Sequence, residues 1–195
     1  MIGTEQIRNT ATVGGNLCTG ASCCDMAPVL IALNADVEIT NSKERRIVPL
    51  KDFFIFHKET SLNKGELMTK IIVPLPQKNT GVGFEKFGLR EAASISVASA
   101  SAFVKVEDGK CVDSRIVIGA VAPVPKISEQ AIGVLKGAKV IELSNGSAIL
   151  KEVGEAAASD SLPLDDIRGT ADFRRKVVNV LTQRAVLKAV ERATN

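Results

Sequence analysis

The eight residues Pro74-Leu75-Pro76-Gln77-Lys78-Asn79-Thr80-Gly81 constrain the fold of this chain more than any others. Each proline lacks a backbone donor and fixes φ at about −65°, and turn-forming Asn79 and Gly81 follow, so neither a helix nor a central strand is expected to run through the stretch. A chain of 195 residues can build one sizeable core or divide into two small ones. The break places the expected boundary between residues 1–78 and residues 79–195.

Upstream, Met26 to Leu33 reads as a short apolar helix, with Asp25 at its cap position and Pro28 in its first turn, where a missing N–H costs little. Asp36 to Thr40 is an expected strand that turns through Asn41-Ser42-Lys43-Glu44-Arg45 into Ile47 to Leu50. The apolar run Phe53-Phe54-Ile55-Phe56, a charged linker and a further strand, Glu66 to Pro74, complete this part. Downstream, Ala93 to Val106 alternates small and β-branched residues, Glu107-Asp108-Gly109-Lys110 is a hairpin turn, and Cys111 to Ala122 is the return strand. Helices are expected over Ser128 to Leu135 and Ser147 to Ala158. A third begins near Thr170, where Phe173, Val177, Leu181, Ala185 and Ala189 recur in four-residue steps. The pattern predicts an α+β fold in which a hairpin-based antiparallel sheet is covered by helices, with no internal repeat.

Composition removes several function classes. Lys plus Arg number 25 against 22 acidic residues, Trp and Tyr are absent, and basic runs such as Lys43-Glu44-Arg45-Arg46 read as solvated turns, a poor footprint for nucleic-acid binding. No basic segment followed by an apolar core opens the sequence, and no apolar run is long enough for a membrane span, so the expected location is the cytoplasm. Cys18, Cys23, Cys24 and Cys111 match neither structural zinc nor iron–sulfur spacing, and adjacent Cys23 and Cys24 suit a disulfide framework poorly, so reduced thiols are expected. The sole histidine, His57, has no nucleophile or carboxylate partner in the pattern, and no catalytic residue is assigned.

The candidate site is the stretch Ile7-Arg8-Asn9-Thr10-Ala11-Thr12-Val13-Gly14-Gly15-Asn16-Leu17. Gly14 and Gly15 can adopt positive φ and hold no side chain against an incoming group, while Thr10, Thr12 and Asn16 supply short donors and acceptors beside exposed amides. Such a loop can cradle a pyrophosphate, or it can be a tight turn feeding a helix. It has the spacing of neither a Walker loop nor the dinucleotide fingerprint.

This stretch resembles the second flavin-binding loop of the FAD subunit of molybdenum hydroxylases, the family of xanthine dehydrogenase and carbon monoxide dehydrogenase. The similarity continues through Asp25, the apolar run Ala27 to Leu33, the strand Ala35 to Ile39, Glu66 to Pro74, and Phe84 and Lys86. The resemblance implies the C-terminal half of an FAD-binding domain followed by the antiparallel sheet and helices of the flavoprotein's C-terminal domain. It implies that Thr12, Val13, Gly14, Gly15 and Asn16 hold the FAD pyrophosphate and its neighbouring hydroxyls, and that Asp25 accepts hydrogen bonds from the ribityl chain. Phe84 would pack against the ring, and Lys86 would stabilise reduced, anionic flavin. Arg90 falls where the family often has an arginine pair, but Leu89 precedes it and weakens that match. Small residues usually stand at the positions of Cys23 and Cys24.

The implied partners are a large subunit carrying the molybdenum cofactor and a small subunit carrying iron–sulfur clusters, with electrons passing through FAD to NAD or another acceptor. Family subunits carry a further segment ahead of this loop, with another glycine-rich grip on the same pyrophosphate, for which residues 1–195 offer no second candidate. The expectation is therefore that FAD binding needs that half, supplied as a separate chain or as part of a longer product. The alternative expectation is a noncatalytic scaffold or assembly module, self-associating when isolated.

Overall fold

The computed structural model describes residues 2–90 and 94–195, so the strand start expected at Ala93 lies outside the described residues. The chain opens with two short helices, α1 (Glu5–Thr10) and α2 (Val13–Cys18), each started by a threonine. Thr4 Oγ1 accepts from the Ile7 amide, and Thr12 Oγ1 from the Gly15 amide. Helix α3 (Met26–Ala32) buries Ala27, Pro28, Leu30, Ile31 and Ala32. There follow β1 (Asp36–Thr40), β2 (Arg45–Pro49), a small hairpin of β3 (Phe54–Phe56) and β4 (Glu59–Thr60), and β5 (Leu67–Ile72). Central β1 pairs antiparallel with β2 on one side and β5 on the other. Arg46 does not lie in a solvated turn. It sits within β2, donates to both carboxylate oxygens of Glu66 at 3.1 and 2.8 Å and to the Ser61 carbonyl at 2.6 Å, and so ties β2 to the approach of β5.

The second half is an antiparallel sheet of β6 (Thr80–Gly88), β7 (Ser96–Glu107), β8 (Lys110–Gly119) and β9 (Lys126–Ile127), in that order. The β7–β8 connection is the expected hairpin, with Asp108 and Gly109 both at positive φ between paired Glu107 and Lys110. Helices α4 (Glu129–Leu135), α5 (Ala148–Asp160) and α6 (Ala171–Thr194) cover one face of this sheet. Ser147 and Thr170 cap α5 and α6 through their side chains.

Strand β6 was not expected from sequence, and it begins inside the Pro74–Gly81 break. Glycine weakens a strand interior, yet Gly81 and Gly83 are what admits α6. A methyl built on Gly83 would lie 2.8 Å from the carbonyl carbon of Ala185, and one on Gly81 would lie 2.7 Å from the Ala193 nitrogen. The four-residue stripe of α6 holds from Leu181 through Ala185 to Ala189, all buried, but fails upstream, where Arg174 and Val178 are buried and Phe173 is exposed. A step of four drifts against the 3.6-residue turn and leaves the buried face within a few turns. Phe173 instead meets the Phe87 ring edge-on, with centroids 5.8 Å apart.

Since alternate strand residues face opposite sides, the sheet separates two cores. Ala98, Ala100, Ala102, Val104, Ile116 and Ile118 pack with α4, α5 and α6. On the other face Val117 joins Leu17, Ala27, Ile31, Val37, Ile39, Leu50 and Phe53. Polar contacts cross this seam: Arg115 Nε donates to the Ala32 carbonyl at 2.6 Å, with its guanidinium 3.8 Å above the Phe103 ring, and the Ala120 amide donates to the Ser22 carbonyl at 2.8 Å. Among the described residues, no helix is long and apolar enough to cross a membrane.

Candidate functional site

The Ile7–Leu17 stretch is not an open glycine turn but the junction of α1 and α2. Gly14 and Gly15 are helical, and neither adopts positive φ. Thr12 sets this geometry. Its extended backbone breaks the helical path, its carbonyl accepts from the Asn16 amide at 3.0 Å, and its hydroxyl accepts from Gly15 at 2.9 Å. Because the intrahelical ladder begins there, Val13 and Gly14 supply first-turn amides with no acceptor inside the helix. A methyl built on Gly14 meets nothing within 4 Å, so the backbone at that position is open to approach. Beside α2 runs a groove of about 630 Å³ whose walls combine apolar Ile2, Ile7, Val13 and Met26 with polar Thr10, Thr12 and Asn16. An apolar groove with a few convergent donors is the usual form of a small-molecule site.

Asn16 serves the architecture first. Its Oδ1 accepts from the Met26 amide at 3.2 Å and from the Cys24 thiol at 2.9 Å, so contact with a ligand falls to its amide NH₂. Burial pushes that Cys24 thiol up to about 11. Asp25 does not cap α3 with its side chain. Its buried carboxylate instead accepts from Lys86 Nζ at 2.6 Å on Oδ2 and from Ser96 Oγ at 2.5 Å on Oδ1. Asp25 and Lys86, 61 positions apart in sequence, are therefore in direct contact, and the pair joins the start of α3 to the sheet of the second half.

Phe84 and Lys86 share one face of β6, turned away from α6, and Phe84 is half-buried opposite Ser101. Of the candidate residues, Thr12, Val13, Gly15 and Asn16 line the groove, whereas Gly14, Asp25, Phe84 and Lys86 do not. Arg90 lies elsewhere, in a depression with Leu89, Ile95 and Ile167. His57 is exposed at the β3–β4 turn. Among the described residues no three His, Cys, Asp or Glu side chains are grouped to hold a metal. Met26, which lines the groove, and Ser96, which donates to Asp25, were not supplied by sequence inspection. Met26 looked like one apolar helix residue among several, and Ser96 like one small residue in a run of alternating small and β-branched residues.

Two family models match the chain: FAD binding domain in molybdopterin dehydrogenase over residues 1–76, and CO dehydrogenase flavoprotein C-terminal domain over residues 84–189. The second alone spans more than half of the sequence. The chain belongs to the FAD-binding medium subunits of the molybdenum hydroxylase family. It is 34% identical to the carbon monoxide dehydrogenase medium chain of Afipia carboxidovorans, over 100% of this chain and 66% of that one. It is 28% identical to the xanthine dehydrogenase FAD-binding subunit of Escherichia coli O157:H7, over 98% of this chain and 64% of that one. The fold superposes on CO dehydrogenase from Oligotropha carboxidovorans with a TM-score of 0.89 at 32% identity, covering 98% of this chain and 65% of the other. Quinoline 2-oxidoreductase from Pseudomonas putida 86 gives a TM-score of 0.89 at 28% identity, covering 100% and 65%. The chain thus spans 64–66% of the length of these relatives.

Proposed function

We propose that this protein binds FAD and acts as the electron-transfer component of a molybdenum-containing hydroxylase or dehydrogenase complex in the cytoplasm. Its partners are a large subunit carrying the molybdenum cofactor and a small subunit carrying iron–sulfur clusters, with NAD or another molecule as acceptor. Residues 1–78 form the FAD-binding part and residues 79–195 the C-terminal flavoprotein domain. The observation that carries the reading is the Thr12-capped start of α2, with open backbone at Gly14 beside a groove of about 630 Å³. It occurs in a chain whose matching family models both describe flavoproteins.

The residues suit the group. First-turn amides of Val13 and Gly14 and the hydroxyl of Thr12 are donors of the kind that neutralise a diphosphate without a cationic side chain. Asn16 adds its amide NH₂, and Gly15 keeps α2 slim where Thr12 folds back over it. Asp25 is an acceptor for ribityl hydroxyls, Lys86 brings a positive charge to the same seam, and Phe84 offers an aromatic face on the strand that carries Lys86. When bound, FAD supplies one- and two-electron redox chemistry, whereas the protein binds, orients and tunes it.

Titration with FAD followed by flavin fluorescence tests the reading, on wild-type protein alone and with the partner subunits, and on Gly14→Ala. Alanine in a helix and in open space leaves the apo fold intact or stabilises it by about 0.5–1 kcal/mol, while its methyl blocks approach to the backbone. Saturable binding by wild type and at least about tenfold weaker binding by G14A, a loss of about 1.4 kcal/mol, are expected. Absence of wild-type binding both alone and with the partners would overturn the reading and leave a scaffold or assembly module. Equal affinity of G14A would remove the Gly14 backbone from the site.

A further inference from the structure

We propose that Ser96 is a positioning residue for the flavin site, fixing the plane of the Asp25 carboxylate. The proposal rests on the FAD reading above and extends it to a residue outside the glycine stretch. An aspartate's terminal torsion is broad and roughly two-fold, so an ion pair through one oxygen alone leaves the carboxylate free to swing. Here the two oxygens have separate donors on separate strands. Lys86 Nζ of β6 holds Oδ2 at 2.6 Å, and Ser96 Oγ of β7 holds Oδ1 at 2.5 Å. Only with both in place is one orientation selected.

The backbone is shaped to bring Ser96 there. Along β7, Ala98 and Ala100 face the helices, and strict alternation would point residue 96 the same way. The ladder slips at this end: Phe87 pairs with Ala98, but Gly88 pairs with Ser96, which leaves Val97 as an extra residue. Such a bulge re-aims the side chains beyond it, and it transfers Ser96 to the face of β6 that carries Lys86. Ser96 is 3% exposed, so its hydroxyl is committed to this contact and not to solvent. Asp25, itself outside the groove lining, precedes Met26, which lines the groove and whose amide is held by Asn16 Oδ1. A carboxylate that swings loses its presentation to hydroxyls of a bound group and disturbs the Asn16–Met26 corner.

The test compares wild type, Ser96→Ala, Ser96→Thr and Ser96→Cys by FAD titration, the visible spectrum of the bound flavin, and the melting midpoint of the apo-protein. Removing a charge-assisted hydrogen bond predicts about tenfold weaker FAD binding by S96A, with a changed flavin spectrum and a hydroxyl-dependent rescue of both by S96T. S96C, a weak donor of similar shape, should fall between them and serves as the readout should S96A not fold. Wild-type affinity and spectrum in S96A or in S96C would overturn the role, as would a loss in S96A that S96T leaves uncorrected, since a purely structural role moves the melting midpoint and not the spectrum. Wild-type protein that binds no FAD either alone or with its partner subunits would overturn the flavin reading and this role together, whereas wild-type binding with S96A unaffected overturns this role alone.

Discussion

Gly83→Ala places a single methyl between β6 and α6. The added carbon would lie inside the carbonyl oxygen of Ala185, 2.8 Å from its carbonyl carbon and 3.1 Å from its Cα, where carbon atoms prefer about 3.5–4.0 Å. The obstacle is backbone within a 24-residue helix, so no rotamer change relieves it. Either α6 lifts from β6 or the strand bows, and on that stretch α6 buries Leu181, Ala185, Val186 and Ala189 against the sheet and its neighbouring helices. Overpacking costs about 1–3 kcal/mol, and an immovable neighbour puts this case near about 3 kcal/mol. At about 2–4 °C per kcal/mol for a chain of this size, the melting midpoint should fall by about 6–12 °C. Thermal unfolding by circular dichroism measures it, with Gly133→Ala in α4 as the control. A methyl at Gly133 meets nothing within 4 Å, so that variant should melt at or above the wild-type midpoint. A G83A midpoint within about 2 °C of wild type would refute the claim that these glycines exist to admit the helix.

Acid should weaken the fold in a defined window. Hydrogen bonding to the Arg46 guanidinium holds the Glu66 carboxyl down at about 2, and Arg174 does the same for Asp166. A carboxyl depressed in the folded state contributes stability above its unfolded value and loses it as pH falls through the folded one. Urea midpoints should therefore decline from the ordinary values of 4.5 and 3.8 towards about 2, and Arg46→Met should flatten the Glu66 part; an unchanged slope in that variant would refute the pairing. Burial raises the thiols of Cys24, to about 11, and Cys111. Alkylation followed by mass spectrometry should label both only after denaturation, and rapid labelling of native Cys24 would contradict its packing against Asn16.

Local chemistry made much of this molecule legible in its sequence. Asp108-Gly109 specified a hairpin because both positions need positive φ, Ser147 and Thr170 announced helix starts, and alternation marked β7 and β8. The Ile7–Leu17 stretch drew attention through residue types suited to anion contact, although its actual form is a Thr12-capped helix start. Propensity misjudged β6, because Gly81 and Gly83 satisfy a helix about a hundred positions away and not their own strand. It also made Asp25 a cap, when long-range packing supplied Lys86 and Ser96 as stronger partners. The sequence by itself determined the helices α3 to α6 and the β7–β8 hairpin, since those depend on backbone sterics and hydrogen bonds within a few residues. Only the tertiary structure decided that one sheet would serve two cores, and that a bulge at Val97 would turn Ser96 towards Asp25. Contacts between residues 61 and 71 positions apart exist only once the chain has folded over itself.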